Sequence, residues 1–128
     1  MTDSKLFLDS SIWLGYFLGA FPESRELVDS EKNSLFTSVI SLHEVFKKLK
    51  KLGKTEGAAN QAINFIEENS IIITLNKKIV LTAAVNCERY GLHTIDSMIY
   101  SSAAEVNALF VTADNDFKKC PRAKIIEA

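Results

Sequence analysis

Four acidic residues stand at points in the sequence from which one pocket could draw them. Asp9 closes the apolar run Leu6-Phe7-Leu8, and Asp114 lies just past the apolar run 108–112. Glu44 falls within a stretch of helical periodicity at 39–52, and Asp96 opens another at 97–106. In an open parallel sheet, ligands bind at the edge formed by the carboxyl ends of the strands. Carboxylates gathered there make a hard-oxygen cage suited to Mg²⁺ or Mn²⁺, and the set lacks the cysteine that would favour zinc. Two carboxylates ~5 Å apart at an effective dielectric of ~20 repel by roughly 3 kcal/mol. Several such pairs stay ionised together only beside a cation; otherwise one carboxyl takes up a proton.

Each acid also has a purely structural explanation. Asp9 and Asp114 are placed to cap the turns that follow them. Asp96 in a first helical turn suits the helix dipole, and Glu44 is spaced to pair with Lys48. Taken jointly, the positions favour a shared pocket: two acids follow strands, one begins a helix, and one lies about two turns into the helix after the second strand.

Hydrophobic periodicity supplies the frame. Residues 5–8 form a strand ending at the helix-start signal Asp9-Ser10-Ser11. Ile12, Trp13, Tyr16 and Phe17 recur at helical spacing until Gly19 and Pro22 break it. A polar helix over 23–31 turns Leu27 and Val28 inward, and 34–38 is a second strand. The helix 39–52 carries Leu42, Val45 and Leu49 on one stripe and ends at Gly53; another follows over 54–69. The run Ile71-Ile72-Ile73-Thr74 reads as a short strand buried on both faces. Helices over 77–90 and 95–107 come next, the first stopped by Gly91 and the second capped by Thr94. A strand at 109–112, a helical turn at 115–119 and an edge strand at 124–126 complete the order. Strands alternating with helices predict a three-layer α/β/α fold around a parallel sheet of four to five strands.

The totals exclude several classes. At 128 residues, 47% hydrophobic, the chain is sized for one domain over 1–128. The uncharged run 10–22 falls short of the ~20 residues a membrane span needs, so it reads as a buried helix of a cytoplasmic protein. A net charge of −1 gives no global case for nucleic acid, and a polyanion would have to meet a local basic patch. Lys47, Lys48 and Lys51 offer one, at i+3, i+4 and i+7 from Glu44; the alternative is a solvated helix face. Cys87 and Cys120 show neither metal nor disulfide spacing, as in a reducing cytosol, and His43 and His93 form no ligand pair.

The four acidic segments, in this order, resemble those of PIN-domain nucleases, and the chain is similar to the small toxins of the VapC type. Leu8-Asp9-Ser10-Ser11 resembles the first motif, an Asp ending strand one followed by Ser or Thr. Ser41-Leu42-His43-Glu44-Val45 resembles the second, a Glu on the helix after strand two. Thr94-Ile95-Asp96-Ser97 resembles the third, and Thr112-Ala113-Asp114-Asn115-Asp116-Phe117 the Thr-x-Asp-x-Asp-Phe fourth.

The resemblance implies a Mg²⁺-dependent endoribonuclease that cuts single-stranded RNA with a metal-activated water. Asp9, Glu44, Asp96 and Asp114 are its expected catalytic acids, and Asp9, Asp96, Asp114 and Asp116 the expected metal ligands. Asp116 either reaches the site through water or only shapes the loop. Ser10 and Thr112 are expected to hydrogen-bond the carboxylates, and Lys47, Lys48 and Lys51 to hold RNA. The aromatic helix carrying Trp13, Tyr16, Phe17 and Phe21, with the polar helix after it, would offer a groove to an antitoxin peptide or a homodimer partner. Two rivals remain: a catalytically silent PIN-like module binding RNA or protein, and a phosphotransfer domain phosphorylated at Asp9. The second fits poorly, because Lys118 is badly placed for it and Asp96 is left unexplained.

Overall fold

The computed structural model describes residues 4–127. Among these, strands β1 (Ser4–Leu8), β2 (Asn33–Ser38), β3 (Ile71–Ile73), β4 (Leu109–Thr112) and β5 (Ala123–Ile125) form one sheet in the order β3-β2-β1-β4-β5. Every pairing is parallel. The helices are α1 (Ser10–Leu18), α2 (Pro22–Asp29), α3 (Val39–Lys51), α4 (Glu56–Asn69), α5 (Lys77–Tyr90) and α6 (Thr94–Glu105), with a 3₁₀ turn at Asn115–Phe117.

Side chains alternate across the strands, and both faces of the sheet are apolar. Leu6 pairs in register with Leu35 and Leu109, while Phe7 pairs with Phe36 and Phe110. The leucine face packs against α1, α3 and α4 through Ile12, Trp13, Val45, Leu49 and Ile66. The phenylalanine face packs against α6 and the end of α5 through Tyr90, Ile99, Tyr100 and Ala103. Helices on both sides of a five-stranded parallel sheet are the three layers that the periodicity predicts.

Two local expectations are corrected. β3 is an edge strand with Ile71 57% exposed, not a strand buried on both faces. A β-branched run specifies a strand but carries no information about its rank in the sheet. The last long helix is capped at His93, and Thr94 is its first helical residue. Gly53 does close α3 as expected: at φ +88° it lets its own amide and that of Lys54 bond back to the Lys50 and Leu49 carbonyls.

The topology creates the site. From β1 the chain builds outward through β2 to β3, then returns to add β4 and β5 on the other side. The direction reverses between β1 and β4, and such a switch point opens a crevice at the carboxyl ends of the strands. Among the described residues, no helix is long and apolar enough to cross a membrane.

Candidate active site

Asp9 follows β1 directly at that crevice. Its amide bonds to the Val111 carbonyl at 3.0 Å, and its own carbonyl receives the amides of Ile12 and Trp13. It therefore occupies the N-cap position of α1, yet its side chain makes no capping hydrogen bond. Instead Oδ2 accepts from Thr112 Oγ1 at 2.7 Å and from Ser11 Oγ at 3.0 Å. Those hydroxyls also accept the amides of Asp114 and Ala113 at 3.0 and 2.9 Å. The ends of β1 and β4 are thus tied together through one carboxylate that is only 6% exposed.

The other acids arrive from three further segments. Asp114 caps the 3₁₀ turn, its Oδ1 accepting the Asp116 amide at 2.9 Å. Asp96 projects from the first turn of α6. One carboxylate oxygen each from Asp96, Asp114 and Asp116 lies within 4.8 Å of the others. Glu44 comes from α3, and its Oε1 is buried with no hydrogen-bond partner among the described residues.

Electrostatics link the whole set. Burial pushes the Asp9 carboxyl above its ordinary range; bonds from Thr112, Ser11 and the Ser10 amide oppose this, and the Asp114 charge adds to it. Glu44 is raised by burial and by the charges of Asp9 and Asp96, with the Ser10 hydroxyl pulling the other way. Asp96 is raised by burial and then by Asp9, Asp114 and Asp116, while His93 lowers it. Three carboxyls that resist ionisation, first because they are buried and then because other acids lie near, form a site short of positive charge.

A divalent cation fits that deficit. The donors are all carboxylate oxygens, the chemistry Mg²⁺ and Mn²⁺ prefer. Ligand distances of about 2.1 Å let oxygens on one Mg²⁺ stand up to about 4.2 Å apart, so the Asp96, Asp114 and Asp116 oxygens close on an ion with a small movement. Asp9 is coupled to that triplet through charge: Asp114 acts on Asp9, and Asp9 acts on Asp96.

Set against the sequence expectations, Asp9, Glu44, Asp96 and Asp114 converge, and Asp116 stands in the tightest group rather than at the margin. Thr112 does hydrogen-bond a carboxylate. Ser10 serves Asp9 only through its amide and turns its hydroxyl toward Glu44; the hydroxyl on Asp9 belongs to Ser11, which sequence reasoning missed. Ser11 was findable: a serine two residues past an acid at a helix start can fold its hydroxyl back on that acid. Lys47, Lys48 and Lys51 line a cavity of about 520 Å³ with Ser10 and Glu44, over an apolar floor of Leu14, Ile40 and Ile95. The Glu44–Lys48 ion pair does not form; among the described residues the ion pair found is Lys78–Glu105. Phosphorylation of Asp9 is disfavoured, since it is buried and one of its oxygens already holds two hydrogen bonds.

A parallel sheet that reverses at its centre, with acids from four segments on its carboxyl edge, is the layout of a PIN domain. The PIN-domain family model matches residues 6–123, and the chain belongs to that family. Among solved structures, the chain is similar to a toxin–antitoxin complex from Klebsiella pneumoniae at 22% identity and a TM-score of 0.75, covering 98% of this chain and 100% of that one. VapBC2 from Rickettsia felis, bound to a DNA fragment from its promoter, matches at 20% identity and TM-score 0.74, over 97% and 98% of the two chains. VapC20 from Mycobacterium tuberculosis, a sarcin-ricin loop cleaving toxin, matches at 16% identity and TM-score 0.74, over 96% and 98%. At such identities the likeness establishes the fold. Comparison with curated protein sequences returns no match.

Proposed function

We propose that this PIN-domain protein is a Mg²⁺- or Mn²⁺-dependent endoribonuclease that hydrolyses single-stranded RNA, and that it is the toxin of a toxin–antitoxin pair. The observation that carries the reading is the convergence of acids from four segments, with the Asp96, Asp114 and Asp116 oxygens within 4.8 Å of one another, burial and neighbouring acids raising Asp9, Glu44 and Asp96, and one Glu44 oxygen unpartnered. Such an arrangement is costly to the fold and useful to a hydrolase. The toxin assignment draws support from the solved relatives, which include a toxin–antitoxin complex and a loop-cleaving toxin.

Asp96, Asp114 and Asp116 would hold the ion, with Asp9 fixing the ends of β1 and β4. When bound, a divalent ion lowers the pKa of a water nucleophile and offsets charge on the phosphate. Glu44, half-buried and raised above its ordinary range by burial, takes the water's proton as general base, and Asp96 is the second candidate for that role. Ser10 and Ser11 orient Glu44 and Asp9 respectively. Lys47, Lys48 and Lys51 hold RNA phosphates at the Glu44 side.

An antitoxin segment is the proposed partner of the groove between α1, α3 and α4. Tyr16, Phe17, Leu49, Ala62 and Phe65 line about 450 Å³ there, a shift from the groove expected between α1 and α2.

Purified protein with Mg²⁺ should cut single-stranded RNA to 5′-phosphate and 3′-hydroxyl ends, and EDTA or Asp9→Asn should abolish cutting. RNA affinity without cuts would instead identify a silent binding module. A 2′-deoxy residue beside the cut site should leave cleavage intact; if it blocks the reaction, the nucleophile is not water.

A further inference from the structure

The acids lie between two cavities of different character. The Glu44 end opens into the cavity lined by Lys47, Lys48 and Lys51. The Asp116 end opens into a second cavity of about 340 Å³, lined by Tyr90, His93, Asn115, Asp116, Lys118 and Lys119. The two share none of their lining residues, and Asp96 bridges them: it feels the charges of Asp9, Asp114 and Asp116, while Glu44 feels Asp96 in turn.

The second cavity is built on a pinned loop. Phe117 is fully buried, Cys120 is buried, and the Cys120 amide bonds to the Phe117 carbonyl at 2.9 Å. Between these anchors Lys118 and Lys119 project into solvent, and neither is engaged in an ion pair among the described residues. The Lys118 amide is held by the Asn115 carbonyl at 3.1 Å. His93 enters from the other wall at the cap of α6, three residues before Asp96.

A strand of RNA crossing the acids meets repulsion at its centre. Cations on one side alone would anchor one end and leave the other free to swing away. We propose that the Lys118–Lys119 cavity is a second RNA-phosphate subsite, so that a single strand spans from Lys47–Lys51 across the carboxylates to Lys118 and Lys119. His93 and Asn115 offer further polar contacts to the sugar-phosphate chain, and Tyr90 offers a ring edge at the cavity wall. The inference rests on the nuclease reading and extends it to the side of the cut that the α3 lysines do not reach.

The test is equilibrium binding of a fluorescent single-stranded RNA to the cleavage-deficient Asp96→Asn protein over a range of salt. Adding Lys118→Ala and Lys119→Ala should weaken binding about 20-fold at 0.1 M salt and reduce the salt slope by about 1.4, the loss of two phosphate contacts on a single strand. Lys47→Ala with Lys51→Ala should do the same independently. RNA carrying uncharged methylphosphonate linkages on one side of the cut should then be insensitive to one lysine pair and remain sensitive to the other. If Lys47→Ala/Lys51→Ala weakens binding while Lys118→Ala/Lys119→Ala leaves both affinity and slope unaltered, the subsite is wrong and the nuclease reading stands. If the parent protein neither binds nor cuts RNA, both fall together.

Discussion

Two of the buried polar groups in this molecule are treated in opposite ways. Beneath α1, Trp13 Nε1 donates to Thr37 Oγ1 at 3.1 Å, Thr37 donates to Ser70 Oγ at 2.9 Å, and Ser70 donates to the Ile66 carbonyl at 2.7 Å. Each member is neutral and each donor has an acceptor, so the chain joins α1, β2 and α4 with nothing left over. At the carboxyl edge, burial raises Asp9, Glu44 and Asp96, the charges of nearby acids raise them further, and Glu44 Oε1 has no partner among the described residues. Buried polar groups are normally satisfied, and a group left short invites a functional explanation. The first network stabilises the fold; the second holds a charge deficit that a ligand can relieve.

The sharpest way to break this contrast is to neutralise Glu44. Glu44→Gln should lower the rate of RNA cleavage by about 10²–10⁴-fold, the loss of a general base. It should leave the melting temperature of the metal-free protein unchanged or higher, because one repelling charge is gone. An equal loss of stability and activity would make Glu44 a structural residue.

The satisfied network should show the reverse. Trp13→Ala should cost about 3–5 kcal/mol of stability, because the ring is fully buried against Phe17 and Phe65. Thr37→Val keeps the shape but strands the Trp13 donor, for about 1–3 kcal/mol. Chemical denaturation measures both, and neither variant that remains folded should alter the metal dependence of cleavage.

The smallest effect is in pH. Asp9, Glu44 and Asp96 have folded pKa values raised above ordinary values of 3.8, 4.5 and 3.8. Such groups contribute stability that is fully present below those ordinary values and is lost as pH rises through the folded ones. The metal-free protein should therefore lose this contribution as pH rises above about 4 through the raised folded values. Added Mg²⁺ should raise the melting temperature more at pH 7 than at pH 4, since protons compete for the same oxygens. A Mg²⁺ effect independent of pH would remove the ion from these carboxylates.

Asp9 and Asp114 were legible in sequence because both sit where an apolar run stops, and an α/β sheet sends such positions to one edge. Helix and strand order was legible for the same reason: period and breaker residues are local properties. Sheet rank is not local, so Ile71-Ile72-Ile73 reads as a strand buried on both faces, whereas the order β3-β2-β1-β4-β5 puts it at an edge. For Asp116, spacing shows only that it follows Asp114 by two residues; the 3₁₀ turn is what brings its carboxylate toward Asp96. The choice between Ser10 and Ser11 depended on rotamers at a helix start, which neighbouring hydroxyls in a sequence cannot distinguish. His93 and Lys118 gained a context only once α6 and the loop after β4 were seen to face one cavity.

The bond between Thr112 and Asp9 closes across 103 positions of chain. While the polypeptide is still emerging from a ribosome, β1 can find β2 early, but β4, the partner on its other flank, is made some seventy residues later. Until then Asp9 has no hydroxyl from β4, and the loop bearing Asp114 and Asp116 does not exist. If the proposed nuclease is the activity, this topology leaves its pocket incomplete until β4 and the loop after it have emerged.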